Sequence, residues 1–431
     1  MSMEPVRQLT VWRTFSDGLK VEVGGLAQNR QGVFFQYNEA YLQQYPALSP
    51  FTLKTDSSVQ LAPAQPHAGL HGVFADSLPD GWGLLLMDRV FRQHGMLPAQ
   101  VTAMDRLAFV GNSGTGALSY TPATPIAPAA DQQPVDIANL GLQAQAVFDG
   151  QTTDVLAELV AAGSSGGARP KAQLYFAKGS ERVCRTRPLA GDEAWLVKFT
   201  SANLPLGHEE GLCEATYLTL AQRAGLQVPN WRLLPAPQAS GAQAWLAVER
   251  FDRVWRPDDV PGSVHLHSAC GLLDADFRAP SLDYQDLIKA SSQLCRSVKA
   301  AQLQFLRAVF NLFALNQDDH SKNWAFLQMD NGDWQPAPFY DITFSPGRFG
   351  EHSTAYAGYG KNPPLKALQR LAAEAGYADW QQARQQISCV LAALADFSNV
   401  AKALGVSPET TRLIQHQLNQ QYQYLRAGLD A

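Results

Sequence analysis

Hydrophobic periodicity changes character along this chain, and that change limits the folds open to it more than any single motif. From Leu9 to about Tyr37 apolar residues alternate in short runs, LTVWRTF, KVEVGGL and GVFFQY, separated by turns such as Asp17-Gly18. GWGLLLMDRVFRQHG then switches to helical spacing. YTPATPIAPAADQQPVD is rich in Pro and Ala and without period, and marks a boundary over 121–136. Beyond it, DVLAELVAAG reads as a helix ending at Gly163, AQLYFAKG and ERVCRTR as a hairpin, and AWLVKFT as a further strand. EGLCEATYLTLAQRAGLQVP is a helix stopped by Gly225 and Pro229; QAWLAVERFDRV is a strand, followed by WRPDDVPGS, which suits a hinge. From Tyr284 the pattern is mostly helical, and no internal repeat occurs. Strand-rich, then mixed, then helical segments imply an α+β protein in three parts, 1–121, 137–256 and 257–431.

Charge and cysteines exclude several classes. A net charge of −5 over 431 residues lacks the basic footprint of an autonomous nucleic-acid binder. No apolar run approaches a membrane span, and the N-terminal MSMEPVRQLTVWR has no apolar signal region, so a soluble, cytoplasmic protein is expected. Five scattered cysteines without a CxxC predict neither a disulfide framework nor a zinc cage, but small buried thiols. There is no HExxH and no G-x-G-x-x-G; His265 and His267 alternate on a short run without metal-ligand spacing.

The densest polar cluster is Asn316-Gln317-Asp318-Asp319-His320-Ser321-Lys322-Asn323, between the apolar FLRAVFNLFAL and the strand-like WAFLQ. It reads either as a turn tip or as a site. PAPFYDITFSP follows, and a hairpin turning at MDNGDW would bring Asn323 beside Asp341. Phosphoryl transfer needs such a set: one Asp to orient the accepting hydroxyl, an Asn and a second Asp to hold Mg²⁺ on nucleotide phosphates. Upstream, Trp195, Val197 and Phe199 share one face of a strand and Lys198 the other. A lysine there either meets an anion such as a phosphate or snorkels at a sheet edge. Glu214 in the next helix could pair with Lys198, or be an ordinary surface glutamate. The loop Gly163-Ser164-Ser165-Gly166-Gly167-Ala168-Arg169-Pro170-Lys171 could offer backbone N–H groups to an anion. It is not a Walker A loop, and although it matches G-x-S-x-G at Ser165, it runs helix to strand where a nucleophile elbow runs strand to helix.

These residues resemble the HipA family of bacterial serine/threonine kinases, the toxin halves of HipA–HipB toxin–antitoxin systems. The likeness runs through GVFFQYNEAYL, ALSPFTL, GVFADSLPDGWG and RLAFVGNSGTGALSY, then GGARPKA, WLVKF, CEATYLTLAQRAGLQVP, VERFDR, NQDDHSKNWAF and PAPFYDI. It implies a bilobal kinase-like (HipA / phosphoinositide-kinase-like) fold: a β-rich N-terminal module, a mixed α/β nucleotide lobe and a mostly helical catalytic lobe.

By the same resemblance Asp318 would be the catalytic aspartate, with His320 and Lys322 completing its loop, and Asn323 and Asp341 the Mg²⁺ ligands. Lys198 would contact the ATP phosphates, covered by Ser164, Ser165, Gly166, Gly167, Ala168 and Lys171, with Asp341 also at the nucleotide. Glu249 and Phe251 would border adenine. Ser164, or else Ser165, would be the autophosphorylation site that switches the enzyme off. The tandem Asp318-Asp319 leaves a one-residue shift of the base open, the D-x-H-x-x-N spacing favouring Asp318.

The cofactors implied are ATP and Mg²⁺, and the partner a HipB-like helix-turn-helix antitoxin through which DNA is met only indirectly. The substrate implied is a protein, in some relatives an aminoacyl-tRNA synthetase. Two alternatives are a catalytically dead partner of an antitoxin and a small-molecule phosphotransferase. The latter usually carries His-Gly before the Asp, where this chain has Asn316-Gln317.

Overall fold

A computed structural model describes residues 4–163, 166–347 and 349–429, with side chains as far as residue 424. It resolves into two compact units: residues 1–208, 234–274 and 327–333 form the first, and 209–233, 275–326 and 334–431 the second.

The first unit holds two antiparallel sheets. The N-terminal runs become β1 (Gln8–Thr14), β2 (Lys20–Gln28) and β3 (Val33–Tyr37), joined by β4 (Gln60–Leu61) and β5 (Leu118–Thr121) in the order β4-β3-β2-β1-β5. Alternation buries Leu9, Val11, Val23, Leu26, Phe35 and Tyr37 against Phe74 and Leu107, the period-2 pattern at work. The second sheet comprises β6 (Lys171–Phe176), β7 (Cys184–Arg185), β8 (Glu193–Lys198), β9 (Trp231–Pro235) and β10 (Ala244–Glu249), in the order β7-β6-β8-β10-β9. The expected hairpin forms between β6 and β7, with Tyr175 opposite Arg185.

Packing within this unit ignores the compositional boundary over 121–136. Trp82, Leu86 and Val90, from the Gly81–Gln93 helix, share one core with Leu174 and Phe176 of β6, Val197 of β8 and Trp245 of β10. The Pro/Ala-rich stretch is itself tied down: the Asp131 carbonyl accepts from the Arg187 amide at 2.9 Å, and the Val135 amide donates to the carbonyl of Cys184, the first residue of β7, at 2.8 Å through an isolated bridge. The helix expected to run from Asp154 is shorter than its sequence suggested, Ala157–Ala161, with Gly163 at φ +69° just beyond it.

The second unit is built from helices Glu210–Arg223, Tyr284–Cys295, Val298–Ala314, Leu365–Glu374, Trp380–Ala395 and Pro408–Leu429. Tyr217 anchors them, donating its hydroxyl to the Ala314 carbonyl at 2.6 Å and meeting Phe310 and Phe397 edge-on. Gly225, at φ +82°, terminates the Glu210–Arg223 helix as expected. Of the five cysteines, all free, Cys184, Cys213 and Cys270 are buried; Cys295 is half-buried and Cys389 exposed, against the expectation of buried thiols throughout. Among the described residues no helix is long and apolar enough to cross a membrane.

Candidate active site

The first unit carries a cationic, glycine-rich set. In β8, Trp195 and Val197 point into the core and Phe199 follows them, while Lys198 lies on the other face, as alternation requires. The register adds what spacing could not. Lys171, the first residue of β6, stands directly opposite Lys198, and both are buried, at 3% and 6% exposure. Opposed residues of an antiparallel pair project to the same face, so two ammonium groups share it, an arrangement that is unfavourable alone and favoured by an anion. Lys171 Nζ donates to the Gly166 carbonyl at 2.5 Å, tying the lysine to the loop before it. Gly166 and Gly167 are half-buried and Ala168 exposed; Ser164 and Ser165 lie outside the described residues. Glu249 ends β10 opposite Trp195, half-buried, and Phe251 follows, also half-buried. Behind them Asp252 is fully enclosed by Arg250 and Arg253, both 2.7 Å away, and accepts the Gly116 amide at 2.7 Å. Burial alone would raise the Asp252 carboxyl, but the two guanidinium charges outweigh it and hold it well below the usual carboxylate range.

The second unit carries the acidic set. The apolar Val298–Ala314 helix stops where Leu315 turns left-handed, at φ +55°. Asn316 then bridges to Ser345, whose hydroxyl accepts the Asp318 amide at 3.3 Å. This leaves the Asp318 side chain 62% exposed, 3.7 Å from His320 Nε2. Asp319 points the other way. One of its oxygens accepts the Ser353 and Thr354 amides at 2.8 and 3.1 Å, the other the Tyr284 hydroxyl at 2.7 Å and His352 Nδ1 at 2.9 Å. With four donors on two oxygens it has no acceptor capacity left for a substrate hydroxyl. The tandem aspartates therefore divide into an exposed one and a saturated one.

Asn323 closes the loop by donating Nδ2 to the Asp318 carbonyl at 2.7 Å. The hairpin turning at Met329–Asp333 forms as expected, from strands Ala325–Gln328 and Trp334–Pro336. Past it, the Tyr340 hydroxyl donates to the Lys322 carbonyl at 2.7 Å, so the residues preceding Asp341 and Asn323 are joined. Asp341 sits at φ +53°, a conformation uncommon for a side-chain-bearing residue and one that the surrounding structure must enforce. Upstream on the same segment, Arg307, buried in the long helix, donates to the Ala337 carbonyl at 2.7 Å, and burial pushes its guanidinium down to about 9. Lys322 Nζ lies 4.3 Å from the Phe277 ring centroid, a cation–π contact, and His320 approaches the same ring at 5.9 Å.

For Glu214 one of the two readings falls away. It is the fifth residue of its helix and 1% exposed, not a surface glutamate. Sequence reasoning did not find Asp319's fixing role, Arg307, Tyr340 or the opposed lysines. Only the last left a legible trace, since strand register follows once the alternating faces of β6 and β8 are matched.

Among the described residues no three His, Cys, Asp or Glu side chains converge as a metal cage.

Family models match the chain at both ends: the HipA N-terminal domain at residues 19–121 and the HipA-like C-terminal domain at 163–420. The chain is similar to the Sinorhizobium fredii protein named "Putative kinase Y4mE", 30% identical over 361 residues, covering 78% of this chain and 77% of that protein. It is also similar to the serine/threonine-protein kinase toxin HipA of Shewanella oneidensis, 24% identical over 294 residues, 62% of this chain and 60% of that one. Among solved structures, the Shewanella oneidensis HipA, HipB and operator DNA complex contains a chain that superposes with a TM-score of 0.69 at 18% identity, over 98% of both chains. That likeness establishes the fold: α+β and kinase-like.

Proposed function

The chain belongs to the HipA family, and from that premise we propose that it is a Mg-ATP-dependent protein serine/threonine kinase that acts as a growth-inhibiting toxin. The observation that carries the reading is the cross-strand pair of buried lysines, Lys171 and Lys198, at the foot of a glycine-rich loop. Two cations on one face of a sheet favour a polyanion, and a nucleotide triphosphate is the polyanion a kinase requires. In the second unit Asp318 is exposed where a hydroxyl could reach it, while Asp319 is consumed in fixing its loop.

In this reading Lys171 and Lys198 bind and orient phosphates, Asp318 orients the acceptor hydroxyl and takes its proton, and Asn323 and Asp341 hold Mg²⁺. The ion, when bound, neutralises charge developing on the phosphate oxygens. Glu249 and Phe251 border adenine. Ser164, with Ser165 the alternative, is the autophosphorylation site. The partner is a HipB-like antitoxin that carries the DNA contacts, by analogy with the Shewanella complex; the chain works in the cytoplasm.

Incubating the purified protein with Mg-ATP tests this. One added phosphate by intact mass, absent in Asp318→Gln, is the expected result. Wild-type protein that neither binds Mg-ATP nor gains phosphate overturns the reading in favour of a catalytically silent partner protein.

A further inference from the structure

The glycine-rich segment is braced by a turn from the N-terminal module that no motif assigned to it. Asp80, 8% exposed, accepts the Gly167 amide through Oδ1. Two residues on, the Trp82 amide donates to the Gly167 carbonyl at 3.0 Å, and Trp82 Nε1 donates to the Lys171 carbonyl at 2.9 Å. The Trp82 ring is locked in the core shared with Leu174 and Val197, so the brace is fixed to the sheet that carries the lysines. Between the two sits Gly81 at φ +43°. A Cβ there would lie 2.6 Å from the Gly167 oxygen and 2.8 Å from the Ala168 Cα, so only glycine permits this approach.

Both backbone groups of Gly167 are thus engaged by the 80–82 turn. Gly167 is the foot of the loop and not one of its phosphate donors. A buried carboxylate is costly to desolvate, and a charge-assisted hydrogen bond to a backbone N–H is the kind of contact that offsets the cost.

We propose that Asp80 is a positioning residue for nucleotide binding: by fixing Gly167 it sets the path of the loop into Lys171, whose Nζ is anchored on Gly166. The proposal rests on the reading of Lys171 and Lys198 as the phosphate site. It assigns to the SLPDGWG segment of the N-terminal module control over the ATP affinity of the nucleotide sheet.

The experiment is Mg-ATP titration calorimetry on the full chain, with amide hydrogen exchange over residues 166–171, for wild type, Asp80→Asn and Asp80→Ala. Asparagine keeps an acceptor oxygen, so its affinity should stay within about threefold of wild type, whereas alanine should weaken ATP about tenfold or more. Asp80→Ala should also speed exchange at Gly167, and saturating ATP should restore most of kcat. Should Asp80→Ala not fold, Gly81→Ala must weaken ATP likewise, because it displaces the loop while leaving the carboxylate in place. ATP affinity equal to wild type in the folded variant overturns the proposal. So does tighter binding, which would mean that the carboxylate competes with phosphates. If wild type itself binds no Mg-ATP, the kinase reading falls and this assignment with it; binding by wild type that is unchanged in Asp80→Ala overturns this assignment alone.

Discussion

Asp319 and His352 meet 2.9 Å apart with neither side chain exposed at all. His352 Nδ1 donates to the carboxylate, and the opposite carboxylate oxygen takes the two amides of Ser353 and Thr354. The segment after Asp341 is thereby pinned to the loop that presents Asp318. Tyr284 extends the network through Asn311 at 3.0 Å and on to Asn316 at 2.8 Å. Burial, with the neighbouring Asp319 charge adding to it, drives the Tyr284 hydroxyl well above its ordinary value, so it remains a donor at any physiological pH.

The two aspartates should separate in stability and activity. Asp319→Asn places an amide NH₂ against donors and should cost roughly 2–5 kcal/mol. Asp318→Asn, at an exposed side chain, should change stability by no more than about 0.5 kcal/mol while abolishing phosphoryl transfer. Urea unfolding of both variants beside an autophosphorylation assay makes the check. A destabilised Asp318→Asn with transfer intact would reverse the roles.

Metal and phosphate ligands should be distinguishable from the base by binding alone. ATP at 100 times its Kd should raise the stability of the wild type by about 2.7 kcal/mol, and adenosine, lacking phosphates, by much less at equal concentration. Lys198→Met should erase most of that difference, Asp341→Asn should erase its Mg²⁺-dependent part, and Asp318→Gln should leave it standing. Thermal unfolding with ATP, ATP plus EDTA and adenosine supplies the readings; an undiminished ATP effect in Lys198→Met would remove that lysine from the phosphate site.

What could be read in the sequence was whatever depends on local period. The β1–β3 runs, the hairpin turning at Met329–Asp333 and the long apolar helix before Asn316 each follow from spacing and turn chemistry over a few residues. The D-x-H-x-x-N spacing likewise favoured Asp318 but left Asp319 open. What could not be read depends on tertiary register. The choice between Asp318 and Asp319 turns on donors 33 to 35 residues away, and Asp80 reaches a loop 87 residues downstream. The 121–136 stretch has the composition of a linker, yet Trp82 and Leu86 pack into the core beyond it. Composition reports flexibility of the free chain, not what the folded chain lays against it.

Gly141 offers a test in which two principles oppose each other. It lies inside the Ile137–Phe148 helix, where alanine normally stabilises by about 1 kcal/mol. A Cβ there would sit 2.2 Å from the Trp245 ring, which is 1% exposed. Overpacking should win, making Gly141→Ala destabilising by about 1–3 kcal/mol. Denaturant midpoints decide it, and a stabilised variant would show that Trp245 can shift.

The acid limb of stability should be set in the first unit by two buried imidazoles. His71 lies edge-on to Phe35 and Phe74, and burial pushes it down to about 4, the Asp274 charge pulling weakly the other way. His265 is driven well below its ordinary value by burial, with the charges of Arg13 and His267 adding to the shift. The unfolded chain protonates these rings near pH 6.5, but folded His71 does so only near 4. Between those values the unfolded state binds more protons, so stability is full above about pH 6.5 and falls as pH drops toward 4. Asp252, held ionised by Arg250 and Arg253, begins to lose its contribution only near the ordinary carboxylate value of about 3.8, where the unfolded chain takes up its proton, and so leaves this window to the histidines. Each imidazole contributes a slope of about 1.4 kcal/mol per pH unit inside its window. His71→Phe removes one titration while keeping a ring among the same neighbours. Urea unfolding of the first unit's transition between pH 4.5 and 7 should therefore give a limb shallower by about that amount. Equal slopes in variant and wild type would mean that His71 is reached by water and takes up its proton while folded.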